Sequence, residues 1–456
     1  MEKREKLGSR LGFILLSAGC AIGMGNVWKF PFITGQNGGA LFVLIYIAFL
    51  IILGVPIMTV EFAMGRASQK SPVKMYQELE PAGSKWHIHG IVAYIANWVL
   101  MMFYTVVTAW MFYYFVGTLS GKYVGLNSAE IENAFAGLTG SASTVAIYVA
   151  IVVILGFLII SFGVQKGLER VTKYMMVALL ALMIILAVYA CTLDGAIEGI
   201  KFYLLPDFSA VSTDNLGSVL VAAMNQSFFT LSIGIGSMAI FGSYLDKDRS
   251  LAGESFNVII LDTFVALCAG LIIFPTCAAF GVDVGAGPSL IFITLPNIFA
   301  NMNGGRILGA LFFLFMSFAA FSTILAVFEN ILACTIELFG ITRKKACVIC
   351  GIIMFVLSMP CVLGFNVLSG FQPFGDGTNV LDLEDFIVSN VALPIGTVTF
   401  LLFSTLKCGW GWDNFIKEAN AGKGMKFPNA LKYYMMIILP IIVITTFIIG
   451  IVTMFF

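Results

Sequence analysis

Apolar runs of about twenty residues recur along almost the whole chain, and they leave few folds open. Each run is long enough to cross the hydrocarbon core of a bilayer. There the backbone polar groups must be bonded within the segment itself. Composition agrees, with 59% of the residues hydrophobic and 11% charged, against about a quarter charged in soluble domains. The chain reads as an all-α polytopic membrane protein. Eleven spanning helices, helices 1 to 11, are predicted at about 11–34, 40–66, 88–118, 143–162, 166–193, 217–244, 254–280, 307–339, 345–364, 386–406 and 431–455. The first run is too long and too poorly ended for a cleaved signal peptide, so helix 1 is expected to be retained.

Charge sets the expected orientation. With the N-terminus inside, all but four of the 25 Lys and Arg residues fall on the cytoplasmic side. The exceptions are Lys122, Lys201 and Arg306 outside and Lys29 near the outer end of helix 1. The positive-inside rule then puts this chain in a cell membrane with its N-terminus cytoplasmic and its C-terminus, after an odd number of crossings, extracytoplasmic. Lysine and arginine balance aspartate and glutamate, which gives no argument for nucleic acid. The nine cysteines lie mostly in apolar segments, and Cys347-x-x-Cys350 lacks a second ligand pair, so they read as small buried hydrophobes. His87 and His89 open a membrane segment and read as interfacial. Between helices 7 and 8 the run Leu290 to Leu295 is too short to span and is read as an external lid or re-entrant piece. A second external loop covers 364–385.

Helix 1 is interrupted where it should be continuous. Gly19, Gly23 and Gly25 fall within seven residues at its middle, and each glycine costs about 1 kcal/mol against alanine in a helix. Backbone freed from helical bonding survives at membrane depth only if it is buried in protein or lines a polar cavity. Helix 6 carries a matching break at Ser232-Ile233-Gly234-Ile235-Gly236. These are the first helices of two five-helix halves, about 11–193 and 217–406, with helix 11 (about 431–455) appended. Five is odd, so the halves must be inverted in the membrane, and paired broken helices in inverted halves point to a secondary transporter with a midplane site.

The residues around those breaks carry a family resemblance. Arg10-Leu11-Gly12-Phe13, Gly23-Met24-Gly25-Asn26-Val27-Trp28, Phe30-Pro31, Asn37-Gly38-Gly39, Glu61-Phe62-Ala63-Met64-Gly65-Arg66, Gly167-Leu168-Glu169-Arg170 and Gln226 to Ser232 resemble the neurotransmitter:sodium symporter family, closest to its bacterial amino-acid branch, which includes the leucine transporter. The resemblance runs from helix 1 to helix 10. It implies sodium-coupled amino-acid uptake by alternating access, with a small-molecule amino-acid substrate and membrane lipid as partners and two sodium ions as cofactors.

By that resemblance the substrate carboxylate meets amides near Met24 and Gly25 and the hydroxyl of Tyr104, while carbonyls near Ala21, Phe229 and Thr230, with Ser232, receive the ammonium. A broken helix's positive end suits the carboxylate. The side-chain pocket is then Leu100, Tyr104, Phe229, Ile235, Thr323 and Val327. It holds no free charge, which implies a hydrophobic or aromatic L-amino acid, since burying an unpaired charge costs several kcal/mol. Sodium, a hard cation, wants oxygens. One sodium site is implied at Ala21, Asn26, Thr230 and a residue of helix 7, shared with the substrate carboxylate. The other is implied at Gly19, Ile22, Ala319, Ser322 and Thr323. Glu61 supports the unwound backbone of helices 1 and 6. Lys29 and Asp385 match the outer gate; Arg4 and Glu337, with Ser243 and Tyr244, match the inner gate.

Five departures from the family stand out. Lys29 replaces the usual Arg, whose planar fork Lys lacks. Leu7 stands where a Trp is usual, and the start of helix 5, Lys173 to Ala181, has no Pro. No twelfth helix is predicted. In helix 7 the acid is at Asp262, one turn before Ala266. Helical spacing keeps the two positions on one face, so Asp262 is expected both to neutralise sodium and to stand in for the chloride of relatives. A proton-coupled transporter using Asp262 or Glu61 is the nearest rival reading. A channel is disfavoured by the absence of a pore-lining charge ring, and an enzyme by the absence of a nucleophile–base pair or metal cluster.

Overall fold

The computed structural model describes residues 5–209, 215–281 and 290–455. Among these residues nine helices are long and apolar enough to cross a membrane, and a bent pair makes a tenth; helix 6, in two shorter pieces, stands where the remaining crossing is predicted. Helix 1 is Arg10–Ala21 plus Gly25–Gln36, bent by 52°. Helices 2 to 5 are Ala40–Ser68, His87–Ser120, Ala142–Ser161 and Val164–Cys191. Helix 6 is Leu216–Leu231, a non-helical turn, then Ser237–Gly242. Helices 7 to 11 are Leu251–Ala279, Gly305–Phe339, Arg343–Gly364, Val380–Thr405 and Asn429–Val452.

Helix 10 starts at Val380, earlier than its apolar run implies. Asn379 caps it: its side chain accepts from the Leu381 amide at 2.8 Å, and Asp382 accepts from the Asn379 amide at 2.8 Å. Asp385 therefore sits inside a helix and not in the preceding loop. Four shorter helices, Pro72–Leu79, Ser128–Gly140, Ala196–Leu204 and Trp412–Ala419, lie in segments read only as connections.

Prolines shape the spanning helices in a regular way. Five π-helical turns, Gly25–Lys29, Leu50–Gly54, Leu290–Thr294, Ile387–Ala392 and Tyr434–Ile438, each end two residues before a proline. Proline offers no N–H to the carbonyl four residues back and crowds it. Widening the preceding turn to i→i−5 bonding relieves that crowding, as in Phe30 N–H to the Gly25 carbonyl and Leu393 N–H to the Val388 carbonyl.

Helix 8 is the axis of the molecule, with 83% of its most apolar stretch buried, whereas helix 11 has 22% and faces outward. Helix 8 packs along helices 3 and 5 and against the first half of helix 1. The Leu290–Asn301 segment is a short apolar helix, seated by Phe292 between Trp110 and Phe135, with the Tyr114 hydroxyl donating to the Phe292 carbonyl at 2.8 Å. The preceding residues, 282–289, lie outside the described ones. On the other side of the molecule Arg66 is buried. It donates to the Glu418 carboxylate at 2.7 Å and to the Arg249 carbonyl at 2.6 Å, tying helix 2 to two inter-helix loops.

His89, at the start of helix 3, is buried and bonded to the Tyr76 hydroxyl at 2.8 Å. Among the described residues no group of three or more His, Cys, Asp or Glu side chains could hold a metal. Cys347 and Cys350 are buried and unbridged.

Candidate functional site

The two broken helices face each other at the centre of the structure. Helix 1 stops at Ala21 because Ile22 turns extended, at φ −74° and ψ 94°. The amides that follow find side chains: Gly23 donates to the Asn26 side-chain oxygen at 3.3 Å, and Met24 to the Tyr104 hydroxyl at 2.9 Å. Helix 6 stops at Leu231, where Ser232 adopts φ +50°. That conformation costs a residue with a Cβ of order 1–3 kcal/mol and persists only where surroundings hold it. Glu61 supplies the hold, accepting from the Gly234 amide at 2.5 Å and the Met238 amide at 3.2 Å. Both bonds go to helix 6; the expected share for helix 1 is not among them.

Between the breaks lies a tight cavity of about 10 Å³, lined by Cys20, Ala21, Gly23, Gly25, Leu100, Tyr104, Phe229, Ser232, Ile235, Thr323, Val388 and Leu393. Eight of these residues are ones named from sequence. Met24 contributes its amide, and Thr230 turns to the oxygen cluster described next. Val327 is fully buried and lies outside this lining, a turn further along helix 8 than Thr323. Two lining residues, Val388 and Leu393, come from helix 10 and had no sequence signal beyond the nearby Pro394.

Two oxygen clusters flank the cavity. In the first, Thr230 Oγ1 lies 3.0 Å from Asn26 Oδ1 and 3.3 and 3.4 Å from the two carboxylate oxygens of Asp262. The Asn26 amide donates to Asp262 Oδ1 at 2.9 Å and to its carbonyl at 3.0 Å. One hydroxyl proton cannot serve three acceptors. The cluster is therefore rich in oxygen lone pairs and suits a hard cation. Beside it Gln226 donates to the Gly25 carbonyl at 2.7 Å, while Gln226 Oε1 and the Tyr46 hydroxyl are buried without a closed hydrogen bond.

In the second cluster Ser322 Oγ lies 2.9 Å from the Ala319 carbonyl and 3.4 Å from that of Ile22. Thr323 Oγ1 is 3.2 Å from the carbonyls of Gly19 and Cys20 and 3.4 Å from Ile22. Two hydroxyl protons face four carbonyls, so the donor set again fits a cation. The five residues named from sequence meet here, joined by Cys20. The Ser–Thr pair also bonds across to helix 1, beyond the local back-bonding usual for such residues.

Above the cavity Lys29 bonds both Asp385 oxygens at 3.1 and 3.0 Å and sits over the Phe229 ring at 4.1 Å. Ser389, not anticipated, donates to Asp385 at 2.6 Å and accepts from Lys29 at 3.2 Å. On the opposite side the expected grouping falls partly outside the described residues. Glu337 accepts from the Ser71 amide and, at 2.7 Å, from its hydroxyl; Arg4 lies outside the described residues. Ser243 bonds back to the Ile240 carbonyl at 2.6 Å. Tyr244 donates to Glu329 at 2.8 Å, and Glu329, fully buried, pairs with Arg343. Glu329 and Arg343 escaped the sequence reading because one lies deep in an apolar helix and the other among inside-loop cations.

Paired broken helices, an enclosed cavity between them and oxygen clusters beside it define a secondary transporter of the inverted-repeat class. The comparisons name the family. The chain matches the profile described as the Sodium:neurotransmitter symporter family over residues 4–136 and 130–455, and it belongs to that family. It is 34% identical to an uncharacterized sodium-dependent transporter of Bacillus subtilis over 98% of this chain and 97% of that one. A counterpart in Methanocaldococcus jannaschii is 31% identical over 96% and 89% of the two chains. Among solved structures, that of MhsT in complex with L-phenylalanine matches with a TM-score of 0.88 and 35% identity, over 98% and 99% of the two chains. The protein is a sodium-dependent membrane transporter and not an enzyme.

Proposed function

We propose that this protein couples the inward movement of sodium to uptake of a hydrophobic or aromatic L-amino acid, independently of chloride. The observation that carries the reading is the contiguity of the cavity with the Asn26–Thr230–Asp262 cluster. Gly25 lines the cavity and Asn26 belongs to the cluster, so one turn of helix 1 serves both. A substrate carboxylate accepted by the Met24 amide and Tyr104 would lie within reach of a sodium ion held by Asn26 and Thr230. Ion and substrate then bind cooperatively by direct attraction. The cavity walls Leu100, Phe229, Ile235, Val388 and Leu393 are apolar, which favours a hydrophobic side chain. MhsT, of the same fold, was crystallised with L-phenylalanine.

In this reading the second cluster takes a second sodium, and Lys29–Asp385 closes the outer side. The halves 11–193 and 217–406 rock about the site, with the N-terminus cytoplasmic and the C-terminus outside. Asp262 brings the negative charge that chloride would otherwise supply. A proton-coupled cycle is the second reading, favoured by the same carboxylate being held only by neutral donors.

The test is thermal stabilisation of purified protein by each L-amino acid in sodium or potassium chloride, followed by uptake into vesicles. Sodium-dependent stabilisation by leucine, phenylalanine, tyrosine or tryptophan is expected. Equal stabilisation in potassium, or a preference for lysine or glutamate, overturns the reading. Sodium-free uptake driven by acid pH selects the proton-coupled one.

A further inference from the structure

We propose that the π-helical turn of helix 10 reads the size of the substrate side chain, with Val388 and Leu393 as specificity-determining residues. This inference rests on the amino-acid reading above and adds to it a wall contributed by the gating helix.

Val388 and Leu393 are five residues apart, about 140° around an ordinary α-helix, so both would not line one cavity. They do so here because Pro394 forces the wide turn Ile387–Ala392, in which the Leu393 amide bonds the Val388 carbonyl. Leu393 is also anchored from behind. A Cβ on Gly234, in the broken turn of helix 6, would lie 2.3 Å from the Leu393 carbonyl, and one on Gly396 would lie 1.8 Å from the Gly234 carbonyl. Only glycines allow this backbone-to-backbone contact, so Leu393 cannot retreat from a bulky substrate without disturbing helix 6.

The same turn belongs to the gate. Ser389, next to Val388, bonds both Asp385 and Lys29, and Lys29 lies over the Phe229 ring that lines the cavity. Closing the Lys29–Asp385 pair therefore brings Val388 onto the substrate in the same movement. A side chain too large for the space beneath Val388 and Leu393 keeps Ser389 from bridging the gate. Selection by size becomes selection for closure.

The experiment compares wild type, Leu393→Ala, Leu393→Phe and Val388→Ala by competition among alanine, leucine, phenylalanine and tryptophan in saturating sodium. Sodium affinity without substrate is measured alongside. Leu393→Ala and Val388→Ala should raise the affinity for tryptophan relative to alanine about tenfold, and Leu393→Phe should lower it by a similar factor. Sodium affinity without substrate should stay unchanged, which shows that the variants are folded and the ion clusters intact. If one variant fails to fold, the remaining two test the opposite or the same direction. An unchanged ranking in folded variants overturns the proposal while leaving amino-acid transport standing. If no amino acid binds the wild type in sodium, the transport reading itself is overturned.

Discussion

Asp262 is the carboxylate of the first oxygen cluster. It is fully buried in helix 7, and its carboxylate receives the Asn26 amide and shares the Thr230 hydroxyl. Removing its charge leaves a cation beside it uncompensated, unless a mobile anion fills the space near Tyr46 and Gln226. Asp262→Ser should then impair uptake in sodium gluconate and recover part of it in sodium chloride; no gain from chloride would dismiss the stand-in role. In the proposed cycle Asn26 and Thr230 serve both ligands. Asn26→Leu or Thr230→Val should weaken sodium and substrate binding together, each by roughly 5- to 150-fold, because linkage is reciprocal. Titrating each ligand at fixed concentrations of the other checks this, and an effect on only one of them contradicts a shared site. The oxygen types at these positions were legible in sequence through the family motifs. Ser389 was not, since a serine in an apolar helix has no local mark separating a gate bridge from a bond to its own backbone.

Broken helix 6 depends on an element-scale support. Glu61 on helix 2 accepts two amides from the turn that helix 6 leaves unbonded, and hydrogen bonds to a charged group contribute about 1.5–3 kcal/mol each. Glu61→Gln keeps the size but turns an NH₂ donor toward one of those amide donors. A lower thermal midpoint and faster amide exchange at Gly234 and Met238 are expected. If exchange there matches the wild type, Glu61 is not what holds the turn. The breaks themselves were foreseeable from glycine clustering. The π turns were only half foreseeable: proline announces a disturbed helix, but whether the backbone kinks or widens, and which side chains then share a face, depends on the neighbouring helices. Helix 10 shows the difference, for its early start at Asn379 puts Asp385 on an ordered helical turn that hydropathy had left in a loop.

At the scale of the molecule, one buried carboxylate joins three helices on the side opposite the Lys29–Asp385 pair. Arg343, from the start of helix 9, meets Glu329 deep in helix 8, and Tyr244 from helix 6 donates to the same carboxylate. Removing one partner of a buried ion pair costs about 3–5 kcal/mol, because the remaining charge is stranded. Arg343→Ala should destabilise the inward-closed arrangement by that order and raise hydrogen exchange across Ser237–Gly242. Glu329→Gln in the same background should restore part of the protection by removing the stranded charge. A double variant no better protected than the single one would show that the pair does not govern closure.

The amino-acid sequence by itself determined the membrane class, the succession of apolar helices, the two breaks and most of the residues beside them. These follow from local properties: the apolar length needed to cross a bilayer, the helix cost of clustered glycines, and motif residues that keep their spacing. Tertiary structure alone decided that Val388 and Leu393 wall the cavity, that Ser389 joins the outer gate, and that Tyr244 serves Glu329. It also placed Val327 outside the lining. Each of these depends on how one helix is rotated against another, and in a segment apolar on nearly every face no periodicity records that angle.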